Sequence, residues 1–331
     1  MAATVAAEPG PGLFSRPAPA VAGQTGAMAH DPRDTVDEPL PPRIPVDLTG
    51  VPETLLWTLY YRAQEAVHPR SVLADPLAVA LVERIDYPFA QRLGRGTRRG
   101  QWQGLRARTF DDAVRRFMVA HPGGTVVALG EGLETQLWRV DDGQVRWVGV
   151  DLPEVAELRR QVLPRHPRRI QVDASVLDDD WLDDGWRDDG WRDDERTGLG
   201  ASAGPVLQTA QGLLMYLSRD QVHSLITRCA ERFPGASIVF DGVPRWTTAA
   251  TTSRARQSAG TSGALVAPPM PWWMDHAEAA ALRRLPGVVD VRRLHPPRGR
   301  GFGFGFVLPA LERVPGLRSQ LLSVWSLRFD H

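Results

Sequence analysis

Thr125-Val-Val-Ala-Leu-Gly130-Glu-Gly-Leu-Glu134-Thr-Gln-Leu-Trp-Arg-Val140, followed by Val145-Arg-Trp-Val-Gly-Val-Asp151, decides the fold. It opens as a short apolar run rich in β-branched residues and breaks at Gly130-Glu131-Gly132. Helix formers follow from Leu133 to Arg139, and a second apolar run stops at an acid, Asp151. Continuous apolar runs of this length suit strands buried on both faces of a parallel sheet. Two such strands joined by a glycine turn and a helix make a βαβ unit, whose ligand crevice lies at the strands' carboxyl ends. Asp151 stands 19 residues past Gly132, where a carboxylate can accept hydrogen bonds from ribose hydroxyls. The expectation is a ligand that carries a nucleoside.

The turn also discriminates between such ligands. A dinucleotide fold wants a third glycine for close helix–strand packing, and Thr135 stands there instead. Glu131 and Glu134 suit the positive end of a helix, at a few tenths to about 1 kcal/mol each. They would repel a pyrophosphate at the same place by roughly 1 to 4 kcal/mol per pair. A cationic nucleoside without phosphate escapes that repulsion. S-adenosyl-L-methionine, with its ribose, ammonium and sulfonium, fits better than NAD.

Elsewhere the composition excludes more than it asserts. The chain has 331 residues, 39 basic and 39 acidic, so charge does not recommend nucleic acid or an anionic membrane as a partner. Cys229 is the single cysteine, which rules out an internal disulfide and a multi-cysteine zinc site. No apolar stretch approaches the ~20 residues needed to span a bilayer, and the N-terminus lacks the pattern of a secretory signal. A cytoplasmic protein, monomer or homodimer, is expected.

Along the chain, residues 1–45 are rich in Ala, Pro and Gly and read as a disordered tail. Residues 46–120 read as an N-terminal helical lid, with helices over 52–67 (Thr54 as cap), 75–84 and from Thr109 with Asp112 in a capping box. Residues 92–104 read as a loop between them. Residues 121–245 form the cofactor-binding, Rossmann-like core, with strands at 125–129, 145–150, 169–174, 205–211 and 237–243. Alternation with helices at this spacing implies a doubly wound α/β sheet. Ser218 and Gln221 make a capping box, and Cys229 falls on the apolar stripe of that helix as a core residue. Residues 178–196 are an acidic insert holding Asp-Asp-Gly-Trp-Arg twice, read as a solvated loop rather than a metal site. Residues 246–331 are a cap segment and closing elements of the same domain. They comprise a flexible connection at 247–264, strands at 288–294 and 304–308, and a helix or two over 311–327.

Several segments, in order, resemble the leucine carboxyl methyltransferase family, particularly its bacterial branch of tetracenomycin-type O-methyltransferases. They are Glu53-Thr-Leu-Leu, Tyr61-Arg-Ala63, Arg106-Ala-Arg-Thr-Phe-Asp-Asp112 and Leu129-Gly-Glu-Gly-Leu-Glu-Thr135. Val150-Asp-Leu-Pro-Glu-Val155, Gln211-Gly-Leu-Leu-Met-Tyr-Leu217, Arg232-Phe-Pro-Gly-Ala236 and Phe240-Asp241 complete the set. The resemblance implies a class I methyltransferase, a seven-stranded sheet with its last strand antiparallel. S-adenosyl-L-methionine would be the cofactor and S-adenosyl-L-homocysteine the product. It also implies that Arg106 pairs with the methionine carboxylate, as a guanidinium suits. Gly130, Glu131 and Gly132 would approach the cofactor, and Asp151 with Leu152 would take the ribose. Two positions depart from the family pattern. Ser175, with Val176 beside it, occupies the acidic adenine position, leaving Asp173 or Asp178 as substitutes. Gln211 replaces a glutamate, keeping a carbonyl for the cofactor's ammonium but no charge.

Methyl transfer from a sulfonium is an in-line displacement in which the protein chiefly positions the nucleophile, and positioning can supply up to about 7–11 kcal/mol. A carboxylate acceptor needs no base, whereas a phenol is helped by one, usually a histidine. Candidate catalytic residues are His276, Tyr216 and Arg245; His223, beside a core stripe, reads as structural. Tyr216, Trp246, Trp272, Trp273 and Met274 are candidate walls of the acceptor pocket, and rigid aromatic walls favour a flat, polyketide-like small molecule. A cofactor-binding protein without turnover, a NAD-dependent oxidoreductase and a methyltransferase acting on a protein carboxyl terminus are the alternatives.

Overall fold

The computed structural model describes residues 42–94, 97–182, 204–258 and 267–331, so the expected tail and most of the acidic insert lie outside the described residues. In chain order come β1 (Ile44–Pro45), α1 (Thr54–Ala66), α2 (Pro76–Arg84), β2 (Ile85–Asp86), α3 (Phe89–Leu93) and α4 (Thr97–Ala120). The sheet begins with β3 (Thr125–Leu129), α5 (Gln136–Val140), β4 (Arg146–Asp151), α6 (Pro153–Val162) and β5 (Arg169–Asp173). It continues with β6 (Val206–Ala210), a 3-10 turn (Leu214–Tyr216), α7 (Arg219–Arg232), β7 (Ser237–Gly242) and α8 (Arg245–Ser258). The chain closes with α9 (His276–Leu282), β8 (Val288–Leu294), a π-helical turn (Gly303–Val307), α10 (Leu308–Arg313), α11 (Pro315–Arg318) and β9 (Ser323–Phe329).

The large sheet has the order β5-β4-β3-β6-β7-β9-β8, with β9 antiparallel to both neighbours and the other pairs parallel. That is the doubly wound arrangement expected of a class I methyltransferase. Strand period two divides the apolar runs between two faces. Val127, Val148, Val150, Ile238 and Phe240 pack on α7 and α9, whereas Val126, Trp147, Leu207 and Val239 pack on α4 and α5. A third apolar cluster joins α1, α2 and α6. Cys229 lies in the first of these cores, and burial pushes its thiol up to about 12, so it is a core residue and not a nucleophile.

Several local expectations are corrected. Residues 97–104 are helix, not loop, because the glycines serve helix packing there. A Cβ on Gly100 would sit 3.1 Å from the Tyr61 carbonyl, and one on Gly104 2.7 Å from Glu65 Cγ, so α1 and α4 cross in close contact. Thr109 is therefore mid-helix, and its hydroxyl donates back to Leu105 O at 2.8 Å instead of capping. Thr54 likewise is the first helical residue, donating to Val51 O at 2.7 Å, and Glu53 holds the cap position without a side-chain bond. The stretch 245–258 is α8; with neither Gly nor Pro inside it, nothing interrupts the helix.

The position of the last strand is corrected too. Residues 304–308 are helical, with Phe306 67% exposed, while Pro315-Gly316 stops any long helix and the strand is Ser323–Phe329. The sheet selects the segment whose Val324, Leu327 and Phe329 meet buried partners. Phe329→Ala is expected to cost roughly 3–5 kcal/mol and Phe306→Ala less than about 0.5 kcal/mol, read as shifts of the urea midpoint. Equal costs would show that the strand has been assigned to the wrong segment.

Candidate functional site

A cavity of about 500 Å³ opens along the carboxyl edge of the sheet, between the strand ends and the helices α1 and α4. Its floor is the glycine turn. Gly130 and Gly132 have φ of 58° and 54°, a region that costs other residues 1–2 kcal/mol, and a Cβ on Gly130 would meet Leu213 at 2.8 Å. Asp151 closes the turn from the next strand: Oδ2 accepts from Gly132 N at 2.6 Å and Oδ1 from Leu152 N at 2.9 Å. Burial pushes its carboxyl up to about 6 despite those two amides and the nearby Arg159.

The two glutamates of the turn do not stand free. Glu131 accepts from Trp147 Nε1 at 2.9 Å and pairs with Arg159 and Arg169 at 2.9 and 2.7 Å. Glycine at 149 makes room for that pair beside the strand. Glu134 contacts Arg62 on α1, pairs with Arg139 at 2.7 Å, and accepts from Gln211 Nε2 at 2.7 Å. Burial by itself would raise Glu134, but Arg62 and Arg139 outweigh it and hold the carboxyl at about 2. Arg139 in turn bonds Asp111 on α4 through Nε at 2.8 Å and Asp75, the cap of α2, at 2.9 Å. Thr135, at the expected third-glycine position, is fully buried with its hydroxyl 2.7 Å from Asp75. The position is filled by a hydrogen bond instead of being left open for the helix.

At the β6–β7 side, Arg106 on α4 donates to Asp241 Oδ2 at 2.9 Å, while Asp241 Oδ1 accepts from Gly212 N at 2.6 Å. Gln211, a cavity-lining residue, donates its amide nitrogen to Glu134 and leaves Oε1 buried and without a partner. Because a carboxylate only accepts, that bond fixes which end of the amide is left without a partner.

Most cofactor candidates therefore come together: Arg106, Gly130, Glu131, Gly132, Asp151, Leu152, Ser175, Val176 and Gln211 line one cavity. Asp173 does not; it is exposed and paired with Arg160. Of the acceptor candidates only Tyr216 lines the cavity, and burial raises its phenol. Arg245 and Trp246 lie on the outer side of α8. Arg245 stacks over Trp273 at 5.4 Å, and Trp246, 56% exposed, donates to Gln320 O. Val243, just before the helix, and Thr247, in its first turn, line the cavity instead.

The Pro-Trp-Trp-Met cluster is likewise corrected from pocket to packing. Trp272 is buried against Phe240 with its indole N–H on Glu278. Met274 packs on the bare backbone of Gly242, and Trp273 donates to Asp275. His276 is exposed and accepts from Arg318 at 3.1 Å, outside the cavity. His223 bonds Glu278 at 2.7 Å, in keeping with a structural role. Sequence reasoning missed Trp57, Trp102, Gln103, Thr247, Met270 and Asp241, all of which line the cavity. Only Asp241 carried a readable signal, an acid ending an apolar strand as Asp151 does.

Charge at the cavity surface suits a cationic nucleoside. Its lining carries four carboxylates, Glu131, Glu134, Asp151 and Asp241, against two guanidiniums, Arg62 and Arg106. The arginines behind the turn weaken the anion repulsion read from the sequence, yet leave this excess of acid. Among the described residues no group of three or more His, Cys, Asp or Glu is disposed to hold a metal ion, and no helix is long and apolar enough to cross a membrane. The buried network sets a stability test. Arg139→Ala removes the guanidinium that pairs with Asp111 and leaves Asp75 and Glu134 to share Arg62, and should cost about 3–5 kcal/mol in urea unfolding. Arg139→Lys, unable to fork, should recover only part. A loss below 1 kcal/mol would refute the network's role.

Residues 56–230 match the family model for leucine carboxyl methyltransferase. The chain is 32% identical over 283 residues to the tetracenomycin polyketide synthesis O-methyltransferase TcmP of Streptomyces glaucescens, covering 85% of each protein. It is also 32% identical over 206 residues to the S-adenosyl-L-methionine-dependent methyltransferase dpfgK of Gibberella zeae, covering 58% of this chain and 65% of that one. Among solved structures, magnesium protoporphyrin IX methyltransferase from Synechocystis with bound S-adenosylhomocysteine aligns at 11% identity and a TM-score of 0.40. That alignment spans 71% of this chain and 88% of the other, and so loose a likeness adds nothing to the sheet topology. The chain belongs to the leucine carboxyl methyltransferase family and is an S-adenosyl-L-methionine-dependent methyltransferase.

Proposed function

We propose that the protein methylates a carboxyl oxygen of a flat, aromatic small molecule. The observation that carries this reading is the chemistry of the cavity wall. No histidine is among the described lining residues, and every lining carboxylate is held by an arginine or a backbone amide. Tyr216 is moved away from easy ionisation by burial. A wall without a free base suits an acceptor that is already anionic at neutral pH, and a carboxylate is the common one. A TcmP-like polyketide acceptor is compatible with the walls. Trp57, Trp102, Met215 and Met270 take the place that sequence reasoning gave to Trp272, Trp273 and Met274.

When bound, the cofactor supplies an activated methyl on a sulfonium. The chain's own residues would hold and aim it. Gln211 Oε1, uncommitted and buried, is placed to accept from the ammonium; Arg106 would face the methionine carboxylate; Asp151 would take ribose hydroxyls; Ser175 and Val176 would flank the adenine. Catalysis is then chiefly positioning and exclusion of water, within the roughly 7–11 kcal/mol such effects supply.

Aryl carboxylates incubated with the protein and S-adenosyl-L-methionine should gain one methyl and yield S-adenosyl-L-homocysteine. The product should be cleaved by mild alkali, as an ester is and an aryl ether is not. An alkali-stable product would sink the carboxylate assignment. Cofactor binding should also titrate. Asp151 has a raised carboxyl, at about 6, and hydroxyl donors favour its ionised form. Affinity for S-adenosyl-L-homocysteine should therefore be full above about pH 6 and fall below it, approaching tenfold per pH unit. Calorimetry at pH 5 and 7.5 reads this, and Asp151→Asn should bind weakly with the slope abolished.

A further inference from the structure

Among the described residues, exposed large apolar side chains concentrate in one segment, 302–317. Phe302 is 76% and Phe306 67% exposed there, and Val307, Val314 and Leu317 accompany them. Phe302 and Phe306, four residues apart in the helical turn, stack with ring centres 6.0 Å apart. Ala310 and Arg313 continue the exposed side through α10. The segment is held from behind. Its one acid, Glu312, is buried, pairs with Arg293 at 2.7 Å and bonds His295 Nδ1 at 2.8 Å, both on or just past β8. Arg293 also donates to Arg318 O at 2.7 Å. At the other end Arg300 pairs with Glu65 at 2.7 Å, and its backbone N–H donates to Gln101 Oε1 at 3.0 Å. Fixed on both sides of the turn, the segment cannot roll its phenylalanines inward, and a surface ordered in advance binds at a lower entropic cost.

Area and charge say what covers it. At those exposures the two phenylalanines leave roughly 280 Å² in water, taking about 200 Å² for each side chain. The three aliphatic neighbours bring the apolar total to the order of 500 Å², near the top of what a monomer exposes in one patch. A standard interface buries about 800 Å² per partner, of which roughly 460–520 Å² is apolar. One such face on each of two copies therefore meets the need of a stable dimer. A two-fold axis pairs the same patch with itself. Centred between Val307 and Leu308, an antiparallel pair sets Phe302 against the partner's Arg313, a favourable cation–ring contact. It also sets Phe306 over the partner's Pro309 and Ala310, where the small side chain leaves room for a ring. The two copies of Arg313 then stand about 16 Å apart at ~1.5 Å per residue, beyond the ~8–10 Å over which exposed charges repel. No other exposed charge lies in the segment.

We propose that residues 302–317 are the two-fold interface of a homodimer, with the partner a second copy of this chain docked antiparallel through Phe302 and Phe306. Phe306 makes these contacts only between copies, so the small cost of Phe306→Ala within one chain stands when read below the dimer's dissociation constant. Sedimentation velocity of the full chain should show a dimer at about 20 μM. Phe302→Glu and Phe306→Glu, which would bury an acid against the other copy, should each weaken it at least about tenfold. Neither side chain lines the cofactor cavity, so unchanged affinity for S-adenosyl-L-homocysteine, measured by calorimetry, confirms that the variants are folded. Val307→Cys, beside the axis, should give a disulfide-linked dimer when diamide oxidises the two thiols, whereas Val119→Cys, exposed on α4, should not. A monomeric wild type at that concentration overturns the proposal. So does a dimer indifferent to both glutamate substitutions and not cross-linked through Val307→Cys, since it then forms at another face. Co-sedimentation of monomeric wild type with phosphatidylglycerol vesicles, lost in Phe302→Glu, assigns the face to a lipid surface and overturns it as well.

Discussion

Glu134 is the point on which the site turns. Its carboxylate belongs to the glycine turn of the sheet, yet it is held by Arg62 from α1 and by Arg139, which also grips Asp111 on α4 and the Asp75 cap of α2. One buried acid thereby ties the strand–turn–helix unit to three helices that precede it in sequence. Buried ion pairs repay their desolvation only when geometry is good and remaining polar atoms are met. Here the fork of Arg139, the hydroxyl of Thr135 and the amides of Gln136 and Gln211 supply those partners. The same amide of Gln211, fixed by Glu134, keeps its oxygen buried and without a partner.

From this arrangement the chemistry follows with few moving parts. The cavity surface carries more carboxylate than guanidinium, which favours a ligand with net positive charge. Its acids are held by backbone amides and arginines. Asp151 and Asp241 act alike at opposite sides of the turn. Each ends an apolar strand, and each fastens a backbone amide of the neighbouring glycine turn with an oxygen at 2.6 Å. The parallel strands deliver both to one edge because their carboxyl ends all point the same way.

The errors of sequence reading share a cause. Gly100 and Gly104 look like loop residues, and only the approach of α1 explains them as helix contacts. Arg245 and Trp246 follow β7 as acceptor residues were expected to, but a helix begins there and its period sends Thr247 inward and those two outward. Trp272 and Met274 are aromatic and soft in the manner of a pocket wall. What removes them is burial against Phe240 and Gly242, partners far away along the chain. The closing strand was lost for the same reason, since its partners are β7 and β8 and not its sequence neighbours.

By itself the sequence determined the strands β3 to β8, the glycine turn, the acid 19 residues beyond it and the family, because buried parallel strands and tight turns write continuous apolar runs and glycines into the chain. It also named most of the residues that line the cavity on the sheet side, Asp173 excepted, since those are set by position relative to a strand end. The tertiary structure alone decided which lid and cap residues reach the cavity: Trp57, Trp102, Gln103, Thr247 and Met270 in, His276, Trp272 and Trp273 out. Those positions depend on how helices rotate and cross over the sheet. Side chains distant in sequence set that rotation, and no local pattern encodes it.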